Sequence, residues 1–478
     1  MTMPQEPLLV IPPLSDPTRT VADTGLRILD LNAKFRNRAA DPARLGAAAD
    51  TANPLDALFL HAATATFARQ RRDEATLRAM GVALRSMTAY DDALRMTADD
   101  VEIVGGSTES SSDVADAGRR TTLFGPEVAL AADAAACGPI RVLVDTDQQL
   151  PAAIAIVLGS ESNRTELCGR FAHTHRVALS RLPELRGATI SAWVPRWQLA
   201  PQWSEGERVT VVTDPADPPQ GEPWVGWLDV ASLLELPASD LSLCRGMVLT
   251  AAARPGRTQF TSGLNGATVD IADVVSRMPC DIPVRVELLV GAPGVEYEKI
   301  KETAQGLAND DELHLAGLRP FRLGVNAHGS WGGRQLIHRS QPRSRDLPRS
   351  RDFDAAETIE AQRISGTIAE LLAEFSNMVE LLPGRFAAAV PMTATGQDGW
   401  SANAQVVRND GPGPDGRGPG SFVVNLRSGS AFRVHPRLSS VVDRLARGDK
   451  SVAQQLSERV RDRLSGQLIV AGAWRGTL

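Results

Sequence analysis

The spacing of apolar residues changes along this chain, and each change marks an element. From residue 284 to 290, Val284, Val286, Leu288, Leu289 and Val290 form a nearly continuous apolar run, the pattern of a strand buried on both faces. Gly291 and Gly294 flank Pro293 and turn the chain, Glu296, Glu298 and Lys299 open an amphipathic helix, and Leu313, Leu315, Leu318 and Phe321 give a second strand. The early carboxylates suit the positive end of the helix dipole. Strand, crossover helix and strand of these lengths make a right-handed parallel unit.

The same reading extends towards the N-terminus. Residues 8–11 are a short apolar run closed by Pro12 and Pro13, and Leu26, Ile28, Leu29 and Leu31 follow at helical spacing, which predicts a strand and then a helix. Leu55, Leu58, Phe59, Ala62 and Ala65 share one face of an Ala- and Leu-rich stretch from 54 to 94, which predicts a helical insert. Residues 101–104 read as a strand ended by Gly105 and Gly106, an ordinary turn, since no lysine follows to make a phosphate cradle. Residues 107–118 read as a mobile polar loop, and 140–144 and 154–158 as two strands that close the first domain.

From about 209 to 323, strand and helix alternate, which predicts a partial or full parallel (β/α) barrel. Ligands of such barrels sit at the carboxyl ends of the strands, which places Gly263, Asn265, Glu287, Gly291 and Gly294 near one rim. Glu287 lies inside an apolar strand, so it is either paired or in contact with a ligand. Trp193, Trp197, Trp203, Trp224 and Trp227 read first as core packing and second as a pocket wall. Cys168, His173 and His175 lie close in sequence, and a His-x-His pair on a strand would share a face, but no further ligand stands at a metal-site spacing. No metal site is expected.

Residues 340–351, S-Q-P-R-S-R-D-L-P-R-S-R, read as a solvated basic linker. Beyond it, the pattern predicts an amphipathic helix over 354–382 with Asp354 as its cap, and a strand at 386–391. A flexible loop at 409–420, strands at 421–426 and 431–434, short helices and a last strand at 468–470 complete the chain. Paired strands followed by short helices resemble a winged-helix domain. The expected class is α/β: a doubly wound N-terminal domain with a helical insert (1–190), the barrel (191–340), a linker (341–352), and a helical segment with a winged-helix-like α+β domain (353–478).

Composition narrows the partners. A net charge of -6 argues against nucleic acid as the main one, because phosphate binding needs a basic face. No run approaches the roughly 20 apolar residues that span a bilayer, so no membrane association is expected. The first residues lack a basic stretch before their apolar run, and four scattered cysteines fit a reducing cytoplasm.

Several phrases resemble one family. E-L-L-V-G-A-P-G-V, starting at Glu287, and L-H-L-A-G-L-R-P-F, starting at Leu313, are similar to late barrel strands of the radical S-adenosylmethionine superfamily, in particular its cobalamin-associated subclass. G-L-N-G-A-T from Gly263 resembles the loop one unit earlier. L-L-V-I-P-P from Leu8 and D-L-N-A-K-F from Asp30 resemble the start of that subclass's cobalamin-binding domain. The resemblance implies cobalamin or S-adenosylmethionine as cofactor, with Asn265, Glu287, Gly291 and Gly294 as binding residues. The family's C-x-x-x-C-x-x-C is missing: Cys137, Cys168, Cys244 and Cys280 stand 31, 76 and 36 residues apart, so no iron-sulfur cluster is expected.

F-R-V-H-P-R-L-S-S-V-V-D-R-L-A-R-G-D-K-S-V, from Phe432, is similar to the peptide-binding winged-helix modules of ribosomal peptide maturation, including the carrier of pyrroloquinoline quinone biosynthesis. Those modules take a leader peptide by strand addition at a sheet edge. The first expectation is a cluster-less, non-catalytic partner protein in a specialised biosynthetic pathway, binding a peptide substrate or a partner radical enzyme. The second is an enzyme, such as a methyltransferase, using a corrinoid or another metal at the barrel rim, through Glu287 with His173 and His175 or with His328. The third is a DNA-binding regulator with the cobalamin-like domain as its sensor, kept in view by Arg433, Arg437, Arg444, Arg447, Arg459, Arg461 and Arg463.

Overall fold

In the computed structural model, the residues described are 7–22, 25–69, 74–96, 101–160, 164–201, 203–204, 206–212, 221–253, 259–278, 282, 284–308, 310, 313–324, 330–339, 342, 344–355, 359, 361–374, 399–474 and 478. The first part runs β1 (Leu8–Ile11), β2 (Arg19–Val21), β3 (Ile28–Asp30), α1 (Leu31–Ala39), α2 (Pro42–Thr51), α3 (Pro54–Ala68), α4 (Glu74–Thr88), β4 (Leu94–Met96) and β5 (Val101–Ile103). It continues with α5 (Ser111–Arg120), α6 (Gly125–Cys137), β6 (Ile140–Leu143), α7 (Leu150–Gly159), β7 (Thr165–Cys168), α8 (Arg170–Thr174), α9 (Arg176–Leu179) and β8 (Thr189–Ile190).

Strands β3, β1, β6, β7 and β8, in that order, form a parallel sheet. The second strand lies outside the first and the third on its other side, which is the order of a doubly wound sheet. Alternate residues of β1 explain its two coverings. Val10 faces a core that includes Phe35 of α1, Val114 of α5 and Ile154 of α7. Leu9 and Ile11, with Leu143 and Cys168, face a second sheet through Val211, Val225 and Val248.

That second sheet uses β9 (Trp197–Leu199), β10 (Thr210–Val212), β11 (Trp224–Asp229), α10 (Val230–Glu235), α11 (Ala238–Leu241), β12 (Cys244–Ala253), β13 (Gln259–Thr261) and β14 (Thr268–Asp270). It continues through α12 (Ile271–Arg277), β15 (Val284–Val290), α13 (Tyr297–Ala308) and β16 (Leu313–Pro320). Strands β10, β11, β12, β15 and β16 are parallel neighbours in chain order, as barrel spacing predicts. The sheet is nevertheless mixed and open. Among the described residues β16 pairs only with β15, and at the other edge β2 and β9 run antiparallel. A full barrel is thereby corrected. Trp224 is wholly buried and Trp197 nearly so, as core packing requires.

After β16 come the hairpin β17 (Ser330–Trp331) and β18 (Arg334–Gln335), the pair β19 (Ile337–His338) and β20 (Phe353–Asp354), and α14 (Ala361–Glu374). The C-terminal part has β21 (Ala404–Asn409), β22 (Gly420–Asn425), β23 (Ser430–Arg433), α15 (Ser439–Ala446) and α16 (Glu458–Val470). Its three strands form an antiparallel sheet between two helical layers. Phe422 and Val424 pack on Leu58 and Ala62 of α3 and Ala79 of α4, while Val423 packs with Val442 of α15 and Leu464 and Leu468 of α16.

Several local expectations are corrected. Residues 28–30 are strand, and the helix starts at Leu31, capped by Asp30. The serine-rich stretch after Gly106 becomes α5, because Ser110 caps it by accepting from the amide of Asp113. Residues 154–158 belong to α7, which is apolar from Leu150 to Leu158 and buried at most of those positions, so no amphipathic period appears. Residues 468–470 end α16 rather than form a strand. Asp354 sits in β20 opposite Ile337 and pairs with Arg339, and the described helix begins later, at Ala361. The 409–420 loop is pinned by Arg433, whose guanidinium donates to Asp415 at 2.8 and 2.9 Å and to the carbonyl of Gly418 at 2.8 Å. The strand expected at 386–391, the end of the 354–382 helix, Cys280 and His328 lie outside the described residues. Among the described residues, no helix is long and apolar enough to cross a membrane.

Candidate functional site

Glu287 lies in β15 opposite Thr250 of β12 and Gly317 of β16. It is buried, and its Oε2 stands 3.5 Å from Arg319 Nη1 with no hydrogen bond to complete the pair. The rim residues lie beyond it. Asn265 Oδ1 accepts from the amide of Ala267 at 2.9 Å, and its backbone carbonyl accepts from Gly332 at 2.9 Å. Gly291 and Gly294 have φ of +88° and +74°, in the left-handed region that favours glycine. A Cβ on Gly291 would meet Ile364 of α14 at 2.5 Å, and one on Gly294 would meet the Arg334 guanidinium at 2.3 Å. Asn265 and Gly294 thus meet one hairpin, β17–β18. The chain itself covers this rim.

A second carboxylate, absent from the sequence expectations, stands at the same end. Asp229 ends β11, caps α10, and accepts from the amides of Gly263 at 2.6 Å, Ala231 at 3.0 Å and Leu264 at 3.3 Å. Burial raises its pKa, and these hydrogen bonds with Ser262 oppose the rise. An acid closing the apolar run W-V-G-W-L-D just before a helix was the available signal.

The carboxyl end of the parallel sheet is where a doubly wound fold holds ligands, at the β1–β6 switch point. Here the chain's own groups fill it. Arg19 Nη2 donates to Asp145 Oδ2 at 2.8 Å and lies over the Trp197 ring, and Gln149 bridges the amide of Asp145 and the hydroxyl of Ser15, each at 2.6 Å. The segment expected to be a solvated linker docks on this end. Leu347 is fully buried, and its amide donates to the carbonyl of Glu109 at 2.9 Å. Arg345 pairs with Glu109, Arg349 with Asp147, and Asp346 accepts from the amide and hydroxyl of Ser111. A corrinoid at this crevice would have to displace Leu347 and Arg349, so the residues present do not fit that group.

His173 and His175 stand on α8 and its cap, not on a strand. His175 is buried against Phe171, with ring centroids 4.4 Å apart, and burial lowers its pKa although Asp147, Asp346 and Glu109 pull it up. Burial pushes the Cys168 thiol far up and that of Cys244 up to about 11, so neither is a thiolate near neutral pH. Among the described residues, no group of three or more His, Cys, Asp or Glu is placed to hold a metal ion.

The third place is the edge of β23. Val434 donates to the Ser421 carbonyl at 2.8 Å, and Phe432 stands opposite Val423. Antiparallel alternation therefore assigns the inward bonds to Ser430, Phe432 and Val434, and turns the N–H and C=O of Ala431 and Arg433 outward. Among the described residues β23 pairs only with β22. Such an edge can hydrogen bond an extended chain.

These features define an α/β protein with a parallel doubly wound sheet, a mixed sheet and a small antiparallel sheet with helices. No protein-family model matches the chain, and the search of curated proteins finds no match.

Proposed function

We propose that this protein is a non-catalytic, peptide-binding partner in a specialised biosynthetic pathway, and that it takes an extended peptide by strand addition to β23 and presents it to a partner enzyme. The reading rests on the outward N–H and C=O groups of Ala431 and Arg433 on an edge strand. Backbone hydrogen bonds there supply affinity, and flanking side chains supply selectivity. The winged-helix-like order of strands and helices, and the resemblance of the phrase from Phe432 onward, support the same use. Glu287 is ion-paired and the rim glycines are covered by α14 and β18, which favours a packing role for them. No step of the proposal goes through cobalamin or S-adenosylmethionine.

Ala431→Pro tests it. Its N–H faces outward, so proline removes no ladder bond and is tolerated at an edge. Short random peptides selected on the wild-type chain should bind the variant about tenfold or more weakly, with thermal unfolding unchanged. Equal binding by a folded variant would contradict strand addition.

A further inference from the structure

The edge of β23 has different neighbours at its two ends. At Arg433 the side chain reaches back to the 409–420 loop and pairs with Asp415, which leaves the outward backbone groups of the strand clear of that contact. At Ser430 it meets a groove. The turn leading into β23, through Leu426 and Gly429, walls a cavity of about 500 Å³, and Leu55, Phe59, Val82 and Tyr90 of the helical insert line its other sides. Leu55 is 43% exposed and Tyr90 86%. On the far side of the turn, the Ala471 carbonyl accepts from Asn425 at 2.8 Å and from the Ser430 hydroxyl at 3.5 Å. The residues just before it, Ile469 and Val470, are 45% and 89% exposed. Exposed apolar side chains thus border the Ser430 end of β23 from two sides, as a binding surface does.

We infer that this groove is the second half of the peptide site and takes one large apolar side chain, of the leucine, methionine or phenylalanine kind, from the segment that follows the residues added to β23. The inference rests on the strand addition proposed above. The occupant is the same peptide because groove and edge share the turn at Gly429. A chain running antiparallel along β23 passes Arg433 first and leaves at Ser430, beside the groove. A four-residue edge offers few backbone bonds, so an anchoring side chain in an apolar pocket has to supply much of the affinity.

Leu55→Asp isolates the groove. Leu55 is the second residue of α3, where the helix dipole favours an acid, so the helix is kept while the groove becomes charged. Short random peptides displayed and selected on the full chain should share a large apolar residue on the C-terminal side of their extended segment. Leu55→Asp should weaken a synthetic copy about tenfold or more. Serine in place of that apolar residue should weaken binding equally on the wild type and add nothing on the variant. If Ala431→Pro abolishes binding while Leu55→Asp leaves it unchanged, the groove falls and strand addition stands. If neither alters binding, both fall. A dimer seen in sedimentation that Leu55→Asp dissociates would give the groove to a second copy of the chain and overturn the inference.

Discussion

Glu287 and Arg319 share one ion pair unequally: the carboxylate side chain is 5% exposed and the guanidinium side chain 33%. Removing the acid leaves an arginine that water can reach, whereas removing the arginine leaves a buried carboxylate without its cation. Arg319→Ala is therefore expected to cost about 3 kcal/mol, and Glu287→Gln about 1 kcal/mol, in urea unfolding. Equal costs would contradict that asymmetry. His175 makes a pH prediction. Its folded pKa lies below the ordinary 6.5, so below pH 6.5 the unfolded chain binds the proton more readily. The stability it contributes is present above 6.5 and is lost as pH falls through the lowered value. Unfolding midpoints at pH 7.5 and 5.5 should show a smaller acid loss in His175→Gln than in the wild type. Sequence drew attention to Glu287 because an acid inside an apolar run is anomalous. It could not supply Arg319, since the register bulge beside Glu287 that sets their approach is a property of the sheet.

Elements were legible in proportion to how local their causes are. The unit from β15 through α13 to β16 stands where apolar period and turn glycines put it. The apolar α7 reads as a strand from sequence because a helix whose residues are nearly all apolar shows no amphipathic period. The segment around Leu347 reads as solvent-facing because its serines, prolines and arginines suit water. What buries it is distant in sequence: Glu109 lies 236 residues from Arg345, and Asp147 lies 202 residues from Arg349. Leu347→Ala is expected to cost about 2–4 kcal/mol in urea unfolding, the range for a buried leucine in a tight core. A cost near zero would mean that the segment does not dock.

In the whole molecule, two sheets pack face to face, and the C-terminal sheet rests on the helical insert of the N-terminal part. The proposed peptide site therefore draws on residues near 55 and 90 and on residues near 430 and 470. The edge strand could be anticipated from paired strands before short helices. The groove could not, because it exists only where α3 and α4 meet the turn into β23. Amide hydrogen exchange at β23, with and without a selected peptide, distinguishes strand addition from any other mode of peptide binding. In the free protein, Ser430, Phe432 and Val434 should exchange slowly, and Ala431 and Arg433 fast. Peptide binding should slow Ala431 and Arg433 selectively. A peptide that binds while those two amides keep exchanging at the free rate would contradict strand addition at β23.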